Sequence, residues 1–175
     1  HVYDRMISRN TGRNAYEVPL ADEPSDGEYV EPYVPVPGAP KAIMVDLDGT
    51  VALMQGRSPF DETRVHEDLP NQAVIDVVRA MHAAGNLVIF CSGRTDGCYD
   101  ATKTWIEQHV AVPYEALLMR KSGDQRKDSI VKTEIFDDHI RRNYDIVGVF
   151  DDRQQVVKAW RRLGLPVFAV AEGDF

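Results

Sequence analysis

Ala42-Ile43-Met44-Val45 runs directly into Asp46-Leu47-Asp48-Gly49-Thr50. The apolar run reads as a buried strand, and short continuous runs of this kind suit a parallel sheet covered on both faces. Two carboxylates two residues apart on extended backbone point to the same side. Like charges held that close are unfavourable unless a cation or a shared proton relieves them. A metal ion, one nucleophilic carboxylate and one acid/base carboxylate would make use of the pair. Taken alone, the stretch also has a plainer reading as an acidic turn after a strand.

The rest of the chain repeats the alternation of apolar runs and helical patterns. Strands are expected at 41–46, 87–91, 116–119, 146–150 and 166–170. Pro70, preceded by Asp68, opens a helix to Ala84 with the apolar stripe Val74, Val77, Val78 and Met81, and Gly85 caps it. Further helices are expected at 99–109, at 128–140 with Asp128 near the N-cap, and at 153–163. Five strands with four crossover helices predict an α/β fold, a doubly wound five-stranded parallel sheet with right-handed connections. Residues 51–69 are too many for a tight loop and read as a small hairpin-like flap over the crevice. No insertion is large enough for a cap domain. Trp105 and Trp160 read as core residues.

Composition bounds the function. The chain of 175 residues suffices for one compact domain plus a tail. Residues 1–40 hold 6 of the 10 prolines, 7 of the 28 acids and 3 of the 20 bases. They read as a proline-rich acidic linker or arm, with residues 1–9 as the end of a helix from an upstream domain. Residues 41–175 form the folded domain. The start at His1 is read as a piece of a longer chain. A net charge of −8 argues against broad binding to nucleic acid but allows one focused basic pocket. No apolar run is long enough for a membrane span, and residues 1–20 lack a secretory signal. Cys91 and Cys98 alone imply neither a disulfide framework nor an all-cysteine zinc site, so a cytoplasmic location is expected.

Strand ends of a doubly wound sheet converge on one crevice. Here they bring Asp46 and Asp48, then Ser92-Gly93-Arg94, then Arg126, Lys127, Asp128 and Lys132, then Asp151-Asp152. Three or four carboxylates with hydroxyls and cations suit a hard metal such as Mg²⁺ and a phosphate ester. Each fragment has a plainer reading alone: Asp128 and Lys132 as a surface ion pair one helical turn apart, Ser92-Gly93-Arg94 as a turn, Asp151-Asp152 as a helix cap. Their joint order argues for a site. A cysteine-phosphatase loop at Cys91 would need an arginine six residues on, where Gly97 stands. His66, His82, His109 and His139 lack metal-ligand spacing. Arg120, Lys121, Arg126 and Lys127 read either as a basic rim for a nucleic-acid backbone or as a solvated loop.

The set Asp46-Leu47-Asp48-Gly49-Thr50, Ser92, Lys132 and Asp151-Asp152 resembles the four motifs of the haloacid-dehalogenase (HAD) phosphotransferase superfamily. Gly56-Arg57, Ser92-Gly93-Arg94, the run Gly123 to Asp128, the run Asp151 to Val157 and the ending Gly173-Asp174-Phe175 look like the phosphatase domain of bacteriophage polynucleotide kinase/3′-phosphatase. The resemblance covers about residues 38–175. It implies a Mg²⁺-dependent polynucleotide 3′-phosphatase that heals nucleic-acid ends through an aspartyl-phosphate, with 2′,3′-cyclic phosphate ends as a further substrate class. By resemblance Asp46 is the nucleophile and Asp48 the general acid and base. Asp46, the Asp48 carbonyl and the Asp151-Asp152 pair would hold Mg²⁺, with Asp152 the direct ligand of the two. Thr50, Ser92, Arg94 and Lys132 would bind the phosphoryl group, and Arg57, Arg94 and Asp128 would be essential. At least one of Arg57 and Arg94 is expected to neutralise the scissile phosphate. The partners implied are 3′-phosphorylated DNA or RNA ends and a covalently linked kinase domain, in the host cytoplasm if the source is viral. A homo-oligomer is compatible with all of this. No Gly-x-x-x-x-Gly-Lys-Ser/Thr loop is present, so no 5′-kinase activity is expected from this stretch. Two other readings stay open: a small-metabolite HAD phosphatase or nucleotidase, and a non-catalytic end-binding module.

Overall fold

The computed structural model describes residues 5–7, 14–16, 30–58 and 61–171. The ending Gly173-Asp174-Phe175 lies outside them. Near the start, β1 (Arg5–Ile7) pairs antiparallel with β2 (Asn14–Tyr16), so a strand stands where the end of a helix was expected. The strand β3 (Lys41–Val45) leads to the flap, in which β4 (Ala52–Leu53) and β5 (Leu69–Pro70) pair antiparallel around a 3-10 segment, Glu62–Glu67. There follow α1 (Gln72–Ala83), β6 (Leu87–Thr95), α2 (Tyr99–His109), β7 (Ala116–Arg120), α3 (Asp128–Ile135), β8 (Asp145–Asp151), α4 (Gln154–Arg162) and β9 (Val167–Ala169). The five long-range strands form one parallel sheet in the order β7-β6-β3-β8-β9. The order reverses at β3, so the crevice opens beyond its carboxyl end, at Asp46.

Alternate residues of β3 feed two separate cores. Ile43 and Val45 pack with Phe90, Ile75 and Trp105 on one face. Ala42 and Met44 pack with Ile89, Phe136 and Trp160 on the other. Both tryptophans are buried core residues, as expected. On α1 the stripe differs from its sequence reading: Val77 is 46% exposed, and Ile75 and Val78 are the buried residues. Both phases fit a 3.6-residue period, and packing against β6 selects the one that buries the larger isoleucine. The third helix ends at Ile135 and continues as one π-helical turn, Phe136–Ile140, in which Arg141 N donates to Phe136 O at 2.8 Å. The wider turn sets Phe136 and Ile140 inward together. β6 runs past Cys91 to Thr95, because a register shift between Ser92 and Thr95 lets it stay paired with Met119 and Arg120 of β7. The extension carries Arg94 into the crevice wall.

Residues at the end of the proline-rich arm pack on the domain. Tyr33 N donates to Leu163 O at 2.7 Å, and its ring meets Phe136 edge-on at 5.6 Å. The Tyr33 hydroxyl donates to Tyr144 O and accepts from Ile146 N, both at 2.8 Å. Arg141 lies over the Phe136 ring and donates to the carbonyls of Glu31 and Pro32. Tyr33→Phe keeps the ring and leaves the buried Ile146 N–H without its acceptor. A loss of about 1–3 kcal/mol in urea unfolding is expected, and an unchanged midpoint would show that the strap contributes through its ring alone.

Candidate functional site

Two charge networks fill the floor of a crevice of about 830 Å³. The first gathers Asp46 from the end of β3 with Asp151 and Asp152 from the end of β8, and one ligand oxygen from each lies within 4.8 Å of the others. Asp46 N donates to Phe150 O at 2.9 Å, which ties the two strand ends together. Lys132 rises from α3 fully buried, its Nζ 2.8 Å from Asp46 Oδ1, 3.0 Å from Asp151 Oδ2 and 3.7 Å from Asp128 Oδ2. The expected Asp128–Lys132 pair is thus the longest of the three. Asp151 is engaged on both oxygens, by Arg153 N at 3.1 Å and by Lys132 and Trp160 Nε1, the latter at 3.2 Å. Asp152 accepts from the buried Thr50 hydroxyl at 3.3 Å.

Two glycines make room for these acids. A Cβ at Gly49, whose φ is +79°, would stand 2.0 Å from Asp152 Oδ2. A Cβ at Gly93 would stand 2.3 Å from Asp128 Oδ1. Burial, followed by the neighbouring carboxylates, pushes the Asp46 carboxyl well above its usual range, against the pull of Lys132. Burial and Asp151 raise Asp152 likewise. Burial opposes the Lys132 ammonium, but Asp151, Asp46 and Asp128 outweigh it and hold the group protonated. Fully ionised, Asp46, Asp151 and Asp152 with Lys132 leave two negative charges on hard oxygen donors. That surplus and that donor type fit a divalent cation such as Mg²⁺.

The second network holds Asp48. Arg57 Nη2 reaches Asp48 Oδ1 at 2.7 Å, and Arg94 grips the same carboxylate through Nε at 3.0 Å and Nη2 at 2.6 Å. Behind them lies Asp68, fully buried. Arg57 clasps it through Nε and Nη2 at 2.7 and 2.6 Å, and Arg94 Nη2 joins at 2.7 Å. Two guanidiniums and two carboxylates therefore balance. Arg57 and Arg94 direct their forks onto Asp48 and Asp68. Ser92 Oγ accepts from Arg94 N at 3.2 Å and so steadies the turn that presents Arg94.

The expected basic rim is uneven. Arg120 turns inward: it donates to Gly93 O at 2.8 Å, to the carbonyls of Asp124 and Arg126, and to Asp128 Oδ1 at 3.0 Å. Arg126 is chelated by Asp124 and Glu134. Lys121 is 86% exposed and pairs with Asp96 at 3.2 Å. Lys127 is exposed and lines the crevice. Burial pushes the Cys91 thiol up, so it is no nucleophile.

Asp68, Glu62 and Arg153 were not singled out as site residues from the sequence. Glu62 pins the flap to the end of β6 by accepting from Thr95 N at 2.7 Å and from the Thr95 hydroxyl. Arg153 lines the crevice beside Asp128. Asp68 left no signal in the sequence; in the structure it is the second anion shared by the two arginines that converge on Asp48. A double-mutant cycle on Arg57→Gln and Asp68→Asn, read by urea unfolding, tests this. Breaking the buried network at either residue should cost about 3–5 kcal/mol, and the double variant should lose little more than the worse single. Additive losses would mean that the two side chains act independently.

The family model for the phosphatase domain of polynucleotide kinase PNKP matches residues 40–175. A protein of Autographa californica nuclear polyhedrosis virus, assigned as a bifunctional polynucleotide kinase/RNA ligase, is 39% identical over 142 residues, which are 78% of this chain and 20% of that protein. Among solved structures, a chain of the Pnkp1/Rnl/Hen1 RNA repair complex aligns with a TM-score of 0.77 and 37% identity over 87% of this chain and 48% of its own length. A second structure of that complex gives 0.78 and 39%, over 85% and 52%. The chain thus spans about a fifth of the viral relative and about half of the matched structures. The D,D-heptose 1,7-bisphosphate phosphatase of B. bronchiseptica, at 15% identity and a TM-score of 0.55, shares the fold.

Proposed function

Because this chain belongs to the family of polynucleotide kinase PNKP phosphatase domains, we propose that it removes the 3′-phosphate from nucleic-acid ends through an aspartyl-phosphate at Asp46. The observation that carries the reading is the pairing of two differently held carboxylates. Asp46 lies buried against Lys132 at 2.8 Å, and Asp48 stands at the mouth in the grip of two arginines. An Asp46 oxygen attacks phosphorus, the bond from phosphorus to the 3′-oxygen breaks, and Asp48, which must enter this step protonated, gives its proton to the leaving oxygen to make it a hydroxyl. Asp48 then takes a proton from water as the water attacks the aspartyl-phosphate, which frees inorganic phosphate and restores Asp46. Lys132, Ser92 and Thr50, all buried, would hold the phosphoryl oxygens, and a fixed cation there would stabilise the charge of the transferring group.

Mg²⁺ would be held by Asp46 and Asp152, the more open of the β8 acids, with the Asp48 carbonyl, and Asp151 would orient Lys132. Bound there, Mg²⁺ supplies positive charge to the phosphoryl oxygens. Residues 1–40 would serve as the arm to an upstream kinase domain, as the composite viral relative suggests. RNA ends are the favoured substrates, since the matched complex is one of RNA repair. Among the described residues no helix is long and apolar enough to cross a membrane.

Asp46→Asn should abolish phosphate release from a 3′-phosphorylated oligonucleotide while circular dichroism stays native. Near-normal release would remove Asp46 from the nucleophile role. Asp48→Asn should slow the natural ester far more than an aryl phosphate, whose leaving group needs little protonation. Equal losses on both would sink the acid assignment. A panel with mononucleotides and sugar phosphates separates the reading from a metabolite phosphatase. Independently of turnover, Mg²⁺ should raise the thermal midpoint of the wild type in a concentration-dependent way. Asp152→Asn should lose that response, and its retention would place the cation elsewhere.

A further inference from the structure

The Arg94 guanidinium is held from three sides. Nε and Nη2 face Asp48, and Nη2 also reaches Asp68. The remaining nitrogen, Nη1, donates to Thr102 Oγ1 at 3.3 Å. Thr102 is fully buried near the start of α2, behind the crevice wall. A guanidinium has donors alone, so the Thr102 oxygen accepts here. Its own hydrogen is left for Cys98 Sγ, 3.5 Å away and one helical turn back. Burial pushes the Cys98 thiol up, so it keeps its proton and donates to Thr95 O at 3.3 Å. Arg94, Thr102, Cys98 and the Thr95 carbonyl thus form one chain in which every donor meets an acceptor. At its far end Thr95 is pinned by Glu62 of the flap.

We propose that Thr102 is a positioning residue for proton delivery: acting through Arg94, it fixes the direction in which the Asp48 carboxyl faces the leaving oxygen. This rests on the 3′-phosphatase reading and on its assignment of Asp48 as the acid. Two carboxylates compete for one nitrogen, Nη2, at 2.6 and 2.7 Å. A guanidinium is planar and its edges turn together. Holding Nη1 from α2 therefore keeps the Nε–Nη2 edge square to Asp48 and stops it from turning towards Asp68. The Asp48 side chain is 26% exposed, against 1% for Arg94, so it has room to turn unless the fork is held. Proton transfer needs heavy atoms within about 2.6–3.2 Å of each other, and a small rotation takes the acid off line. Thr102 touches no reacting group, and its effect passes through the fork alone.

The test uses the whole chain with Thr102→Val, which keeps the shape and loses the hydroxyl. It is assayed on a 3′-phosphorylated oligonucleotide and on an aryl phosphate. On the oligonucleotide kcat should fall about ten- to a hundredfold, the scale of a slightly misplaced catalytic group, with KM nearly unchanged. The aryl phosphate, whose leaving group needs little protonation, should lose less than about threefold. Thr102→Ser returns an oxygen to the same place and should recover most of the loss. In an Asp48→Asn background Thr102→Val should cost nothing more, because the acid it positions is already gone. Parallel losses on both substrates, a rise in KM at constant kcat, no recovery with serine, additivity with Asp48→Asn, or a folded valine variant as active as the wild type each overturn the positioning role. Should Thr102→Val fail to fold by circular dichroism, Thr102→Ala against Thr102→Ser reads the same split. If the wild type hydrolyses a sugar phosphate and no 3′-phosphorylated end, the 3′-phosphatase reading falls, and the split measured on the sugar ester still decides the role of Thr102.

Discussion

The site is organised around one buried ammonium. Lys132 touches carboxylates delivered by β3, by β8 and by its own helix. Unit charges 4 Å apart interact by about 4 kcal/mol at the effective dielectric of a protein near its surface. Four acids packed this closely would otherwise push their strand ends apart or take up protons. Burial first, and the neighbouring carboxylates after it, raise Asp46 and Asp152 against the pull of the lysine. Much of the local architecture serves the arrangement. Gly49 and Gly93 leave space for the carboxylates, Trp160 donates to one of them, and α3 turns its lysine inward rather than to solvent.

The flap is held by polar contacts as well as by Val51, Ala52 and Val65, which join the core around Trp105. Besides the Arg57–Asp68 clasp, Trp105 Nε1 donates to Asp68 O at 2.8 Å and Asn71 Nδ2 donates to Thr50 O at 2.9 Å. These bonds tie the flap to α2 and to the turn after β3. Asp48 is consequently oriented by a segment that also forms the crevice wall. The flap thereby fixes Asp48 in place without a cap domain.

The sheet and most of the acids were legible in the sequence, because apolar runs end abruptly in chemistry-bearing residues and a doubly wound topology leaves them one place to meet. Asp46, Asp151 and Lys132 converge for that reason. Asp68 was not legible as part of the site: it precedes the Leu69-Pro70 pair, where an acid reads as a helix start, and its partners lie 11 and 26 residues away. Arg120 sat beside Lys121 in a basic run, and only the fold shows that its guanidinium turns back to Gly93 and Asp128. Val77 was misread on α1 because two helical phases are equally periodic and tertiary packing decides between them. Glu62 carried no local signal, since its partner Thr95 stands on another strand extension.

Tyr33 lies seven residues before the point where the family match begins, yet its ring covers Phe136 and its hydroxyl completes the hydrogen bonding of Tyr144 and Ile146. The unit that inherits stability as a block is therefore longer than the unit that inherits catalytic motifs. Were this domain joined to another chain, a joint placed at residue 40 would keep the matched motifs and leave the packing of Tyr33 behind. Viable recombination points should fall upstream of the strap, and a foreign partner joined there would meet the domain on the face of Phe136 and Trp160.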